Sequence, residues 1–222
     1  MKTDTYAALS GAQAAWRQLE IISNNLANAS TTGFRESRMS FESASGALTQ
    51  VGAVKASTVD GALITDGDPA HLALRGDAFF SLGDGTYTRD GNFRVDGDGA
   101  LVTADGALVL NESGSPFVFE RGESFTVGPD GMVTGTTSGE KGRLGLAVLP
   151  TATPLGNNRW SGTGTPAELG VTVVQGALEA SNADPMRGMV DLIEASRFFE
   201  SQQKAMQTSD EMRQRLNRIG GS

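Results

Sequence analysis

The chain has no cysteine and a single histidine, His71. Without thiols there are no disulfides, no thiolate metal sites and no Cys nucleophile, and the redox compartment stays open. With one imidazole there is no His pair for zinc and no choice of base for a Ser/His/Asp arrangement; His71 precedes a strand-like run and reads as a solvated or edge residue. Basic charge is also scarce. Against 26 Asp and Glu stand 18 Lys and Arg, a net charge of -8 with a pI near 4.7, and no Lys/Arg run is interleaved with aromatics. A surface of that sign repels phosphates, so nucleic acid is not an expected partner. No apolar run approaches the roughly 18 residues of a membrane span, and no membrane insertion is expected. The opening MKTDTYAALSG carries Asp4 and lacks the apolar stretch of about 7 to 15 residues that marks a cleavable secretory signal, which leaves a cytoplasmic location as the default.

What is present suits a packed core, since 222 residues at 38% hydrophobic content suffice for one ordinary domain or a small domain with extensions. From residue 4 to about 28, Tyr6, Leu9, Ala12, Trp16, Leu19, Ile22 and Leu26 recur at steps of three and four, the rhythm of one helix face. With Ala and Ser between them, the stripe is narrow, as in a bundle or coiled-coil seam. At the other end, Asp184 and Pro185 supply an N-cap acceptor and a preferred first helical residue. Met189, Leu192, Ser196, Phe199, Gln203, Met206, Ser209, Met212, Leu216 and Ile219 then keep the same rhythm up to Gly220 and Gly221. At about 1.5 Å per residue such a helix is roughly 50 Å long. Glu200 with Lys204 and Glu211 with Arg215 have the acid-first i,i+4 order that favours ion pairs.

Between the helices the period changes. HLALRGDAFFSL (71–82), TYTRDGNFRVD (86–96), ALVTADGALVL (100–110), PFVFERGESFTVG (116–128) and GRLGLAVLP (142–150) are short alternating or apolar runs divided by Gly-rich turns. Repeated Asp-Gly pairs are tight-turn signals, because Gly accepts positive φ and Asp tolerates it. The spacing predicts a mainly antiparallel β domain whose first and last strands lie together, since the chain must return to a terminal helix.

None of the chemical motifs holds. DGDG at 96–99 resembles the start of a calcium loop, but the sixth position is Leu101 and the twelfth Ala107, where such a loop needs Gly and Glu. Turn chemistry explains these residues instead. Most of the carboxylates fall in turns or on polar helix faces, where solvation and capping account for them, and no pair marks a glycosidase or wall-opening enzyme. No glycine cluster follows a strand and opens a helix, so no phosphate cradle is expected. Trp16 and Phe199 read as packing anchors. No catalytic residue, cofactor or metal site is expected.

The architecture left is α+β: N- and C-terminal helices forming a coiled-coil-like helical domain, with a mainly antiparallel β domain inserted. One-sided seams seek partners, so function is expected in assembly. The stretch IISNNLANASTTGFRESRMSFE (21–42) resembles the signature of the bacterial flagellar rod and hook axial proteins. LALRGDAFFSLGDGTYTRDGNFRVDGDGALVTADGALVL (72–110) is similar to that family's β core, and QGALEASNADPMRGMVDLIEASRFFESQQKAMQTSDEM (175–212) to its C-terminal signature. Within the family, the short chain and the wording of the last stretch most resemble the F-type proximal rod branch.

The resemblance implies a structural, non-enzymatic subunit of the basal-body rod, exported without a cleaved signal by the flagellar type III apparatus to a rod that crosses the periplasm. It implies other rod subunits, proximal and distal, as partners. Residues 1–30 and 183–222 would form the axial helical domain, 31–70 and 170–182 the linking region, and 71–169 the outer β domain. Interface residues would be Leu9, Trp16, Leu19, Ile22 and Leu26 on the first helix, with Met189, Leu192, Phe199, Met206, Met212 and Leu216 on the last. Asn24, Asn25, Asn28, Gly33 and Phe34 would shape a joint, the Asn side chains competing with backbone to end the helix and Gly33 permitting a turn. Alternatives are a distal rod subunit, or a soluble β-rich binding module whose helices fold back as an intramolecular hairpin.

Overall fold

The computed structural model describes residues 2–44, 48–167 and 170–220. The chain runs α1 (Lys2–Ala27), β1 (Ser37–Ala44), β2 (Leu48–Ala56), β3 (Leu63–Thr65), β4 (Leu72–Arg75), β5 (Phe79–Ser81), β6 (Tyr87–Thr88), β7 (Phe93–Val95) and β8 (Leu101–Thr103). It continues through β9 (Phe125–Val127), β10 (Met132–Gly135), β11 (Gly139–Arg143), β12 (Leu146–Val148), β13 (Thr153–Gly156), β14 (Arg159–Ser161), β15 (Thr165–Pro166), β16 (Thr172–Gln175), β17 (Ala177–Glu179) and α2 (Pro185–Gly220). The class is α+β, as expected. It divides into two units: α1, α2 and the β1–β2 hairpin through Lys55 form one, and Asn28–Glu36 with Ala56–Asn182 form the other.

In the helical unit, α2 starts where Asp184 predicts. The Asp184 carboxylate accepts the Met186 amide at 2.9 Å and the Arg187 amide at 3.3 Å, satisfying donors a helix start leaves unpaired. The two helices are antiparallel: Trp16 faces Phe199 at 5.8 Å between ring centroids, Gly11 faces Gln202, and Leu26 faces Gly188. Among the described residues, the alanines Ala12, Ala14, Ala15 and Ala195 are buried on the two helices. Small side chains let the helix axes approach, and the larger members of the stripe flank that contact, so Trp16 stays 55% exposed. At the end of α1, Asn25 donates to the Ser37 carbonyl and accepts the Ser37 amide, both at 2.9 Å. The expected Glu200–Lys204 pair does not form; among the described residues the ion pair on α2 is Arg187–Asp191 at 3.9 Å. Both Glu200 and Lys204 are exposed, where holding two long side chains together gains little.

The second unit is a β body in which every pairing is antiparallel. Its core joins Leu72, Leu74, Phe80, Leu82, Phe93, Leu101, Val109, Phe117, Phe119, Phe125, Val133, Leu144 and Val173. Phe80 meets Phe93 edge-on at 4.9 Å and Phe119 stacks on Phe125 at 4.6 Å. First and last strands do lie together: β3 pairs β17, with Leu63 opposite Glu179, and β4 pairs β16, with Leu72 opposite Gln175. DGDG is a turn, in which Asp96 accepts the Asp98 and Ala100 amides at 2.9 and 2.8 Å. Strands β1, β2 and β3 arise in residues that carry none of the alternating runs.

One carboxylate closes the β10–β11 hairpin. Glu123 Oε1 accepts the Ser138 hydroxyl and amide, both at 2.7 Å, and the Thr137 amide at 2.9 Å, while Oε2 accepts the Glu120 amide at 2.9 Å. The Ser138 hydroxyl, then the Ser138 and Glu120 amides, hold its pKa at about 2. That value lies below the roughly 4.3 of an unfolded Glu, so the stabilisation is complete above pH of about 4.3 and is lost as pH falls towards 2. We expect Glu123→Gln to flatten the fall in β-body denaturation midpoint over that acid interval, measured by circular dichroism across a pH series. An unchanged acid slope would show that these bonds do not couple to stability.

Candidate functional site

Residues 28–36 follow α1 and are seated on the β body. The Asn28 carbonyl accepts the Thr31 amide at 3.0 Å and its side chain accepts the Thr31 hydroxyl at 3.2 Å; the Phe34 amide then turns back to the Thr31 carbonyl at 3.3 Å. Gly33 has φ +65°, and a Cβ there would lie 2.4 Å from the Asp90 nitrogen and 2.6 Å from the Arg89 carbonyl carbon. Only glycine fits both the dihedral and the gap. On one side, the Thr32 hydroxyl donates to Asp90 at 2.8 Å and the Asn158 amide donates to the Thr32 carbonyl at 2.7 Å. Asn158 sits at φ +56° in the β13–β14 turn and its own carbonyl accepts the Thr88 hydroxyl.

Past Gly33 the segment runs between two others like an inserted strand. Gly33 donates its amide to the Glu179 carbonyl at 2.7 Å, Asn182 donates to the Phe34 carbonyl at 3.4 Å, and Ser57 donates to the Glu36 carbonyl at 2.8 Å. The Asn182 side chain completes the seam, accepting the Glu36 amide at 2.7 Å and donating to the Val59 carbonyl at 2.8 Å.

Charge fixes this seat from beneath. Arg35, Arg89 and Glu179 are 1%, 0% and 2% exposed. Arg89 donates through Nε to the Glu179 carboxylate and through its terminal nitrogens to the carbonyls of Gly76, Ala78 and Leu74 and to Asp60. Arg35 reaches Asp60 at 2.7 Å, Asp77 and the Ser57 carbonyl at 3.4 Å, and lies 3.9 Å from Glu179. The other Glu179 oxygen accepts the Gly61 amide at 2.9 Å. Burial lowers the Arg89 pKa and Glu179 opposes that shift. Two guanidiniums against three carboxylates, with Asp60 and Asp77 partly exposed, keep the cluster near neutrality. Removing one partner of such a pair costs about 3 to 5 kcal/mol, because the other is left buried and unpaired.

Of the residues read from sequence, Asn28, Gly33 and Phe34 lie in this seat, with Gly33 buried and the other two half-buried. Asn25 is buried against β1 in the helical unit, and Asn24 is exposed there. Leu19, Ile22, Leu26, Leu192, Phe199 and Met206 are half-buried, whereas Trp16, Met189 and Met212 are exposed. The side chains of Leu9 and Leu216 lie outside the described residues. The sequence reading missed Arg35, Asp60, Arg89, Asn158, Glu179 and Asn182, having assigned the carboxylates to solvation and capping. Arg35 and Arg89 lie within the quoted stretches GFRES and TYTRDGNF, but each stands among turn residues, and Glu179, which pairs with Arg89, is 90 residues away. Gly33→Ala and Gly33→Val should each raise the free energy of the seated segment by about 1 to 3 kcal/mol. Limited trypsin digestion reads this as faster cleavage after Arg35; wild-type resistance in Gly33→Val would show that the turn tolerates a side chain.

Comparison with known proteins gives three matched segments. Residues 6–35 match a family model described as "Flagella basal body rod protein", residues 73–135 one described as "Flagellar hook protein FlgE/F/G D1 domain", and residues 174–219 one described as "Flagellar basal body rod FlgEFG protein C-terminal". Arg35, Arg89 and Glu179 fall one in each. The chain is 34% identical to the flagellar basal-body rod protein FlgG of Bacillus subtilis (strain 168), over 97% of this chain and 98% of that protein. It is 35% identical to FlgF of Caulobacter vibrioides, over 99% of each, and 31% identical to FlgF of Rhizobium meliloti, over the full length of both.

Proposed function

The chain belongs to the flagellar basal-body rod protein family; it is a structural subunit of that rod, and we propose that its place is the proximal, F-type section of the shaft that carries motor torque to hook and filament. The observation that carries this reading is similarity from end to end with rod proteins. F-type relatives align over at least 99% of both chains. The comparable identity to a G-type protein favours a distal position as the second reading.

Self-assembly through the terminal helices is supported by what their pairing leaves open. On α2, Met186, Met189, Val190 and Ile193 are 70%, 46%, 55% and 54% exposed, an apolar face of the kind that monomers seldom leave in water. In this reading residues 1–30 and 183–222 form a coiled-coil-like axial core with neighbouring subunits, 31–70 and 170–182 link it, and 71–169 form the outer domain. Other rod subunits are the partners, and a structural part of this kind uses no catalytic residues. In this reading the chain is exported through the flagellar type III apparatus to a rod that spans the periplasm.

An epitope-tagged copy should co-purify with isolated basal bodies and label the proximal rod; labelling the distal rod selects the second reading, and absence from basal bodies refutes both. Phe199 packs on Trp16 whereas Glu200 is exposed. Truncating a packed Phe costs about 3 kcal/mol or more, an exposed charge about 1 kcal/mol or less. Phe199→Ala should therefore depress incorporation into basal bodies far more than Glu200→Ala, with the β-body melting temperature unchanged in both. Equal losses, or a loss only for Glu200→Ala, would put the seam on another face.

A further inference from the structure

The seat of residues 28–36 is assembled from parts that arrive at very different points along the chain. The main apolar cluster of the β body lies between Leu72 and Val173 and includes none of residues 28–36 or 177–182, although Ala177 is itself buried. Within that body Arg89 already has the carbonyls of Leu74, Gly76 and Ala78 as partners. The segment from Gly33 to Glu36, in contrast, has its hydrogen bonds supplied from both ends: Ser57 on one edge, Glu179 and Asn182 on the other. Arg35 cannot be buried cheaply without them, since its Nε has no hydrogen-bond partner even in the closed arrangement, and its terminal nitrogens depend on Asp60, Asp77 and the Ser57 carbonyl. Asp60 is positioned by donation from the Gly76 amide, and the neighbouring Gly61 amide is held by the Glu179 carboxylate.

We propose that Glu179 and Asn182 are positioning residues that close a latch: the β body folds first, and residues 28–36 lock onto it only when the C-terminal strand has arrived. Glu179 acts twice, its carbonyl fixing the Gly33 amide and its carboxylate compensating Arg89 and holding the Gly61 loop. Asn182 acts through three bonds, to Phe34, Glu36 and Val59. Glu179 and Asn182 come within reach of Gly33 only after β16 has paired with β4, Leu72 opposite Gln175, so the step follows the folding of the body. A chain delivered from its N-terminus can thus complete its β core while the joint stays open, so an incomplete subunit does not present a set joint. The use of this in rod building rests on the function proposed above; the order of closure does not.

The test is refolding of the full chain from urea with pulsed hydrogen exchange, read at individual amides. Leu101, Val109 and Leu144, whose amides are bonded inside the core, should gain protection in one phase. Gly33, Ser57, Gly61 and Ala180 should gain it together in a slower one. At equilibrium, Asn182→Ala removes the two side-chain bonds to Glu36 and Val59 and should speed exchange at Gly33, a residue whose own partner is untouched, by about thirtyfold, the factor of two lost hydrogen bonds, and leave the three core amides unchanged. Glu179→Gln, which keeps the shape and leaves the buried Arg89 charge unpaired, should speed exchange at Gly33 further, by about a hundredfold or more. Protection of Gly33 together with or ahead of the core overturns the proposal, and so does loss of core protection in both variants. Since no rod is needed, a chain absent from basal bodies would refute the function and leave this result standing.

Discussion

Arg89 and Glu179 meet in the interior of the β body with almost no access to water, and much of the unit is arranged so that they can. A buried ion pair is seldom better for stability than an apolar pair of the same volume. Its physical value is discrimination, because a charge misplaced by one residue is left unpaired in a medium that does not forgive it. Here the constraint propagates outward. Three backbone carbonyls and Asp60 aim the Arg89 guanidinium, Glu179 is aimed by pairing opposite Leu63, and the Glu179 carbonyl then has one geometry in which to receive Gly33. The glycine must pass flush against Asp90, which is why its φ is positive and its side chain absent.

The same constraint explains why Asn, Ser, Thr and Gly follow the apolar face of α1. The turn residues are not a relaxed exit. Asn25 pairs with Ser37 in the helical unit, while Thr31, Thr32 and Gly33 shape the path onto the β body. A segment in a torque-bearing shaft gains from being held by many directional bonds on both edges, since each must be broken before the path can change.

The helices were legible because amphipathic periodicity and the Asp184-Pro185 cap are local signals, and the β body because Asp-Gly turns punctuate its strands. Gly33 was legible as a turn. The seat beneath it was not: Arg35, Arg89 and Glu179 are charges, which sequence assigns to solvent by default, and their pairing is decided by strands 90 residues apart. The β1–β2 hairpin was missed because SRMSFESA and LTQVGAVKA alternate weakly. On the helices, periodicity marked Trp16 and Met189 and left out Ala15 and Ala195, yet interaxial distance is set by the smallest side chains at the contact, and these alanines are buried, as is Ala12 of the stripe.

A subunit of this rod carries residues 28–36 in one fixed conformation on its β body. A density map of the isolated basal body, resolved to side chains and refined without averaging this segment over copies, can establish this. Every copy is expected to show the same path, with Gly33 against Asp90, Arg35 against Asp60, and Glu179 between Gly33 and Arg89. Copies in which residues 28–36 leave the β body or follow different paths would contradict it.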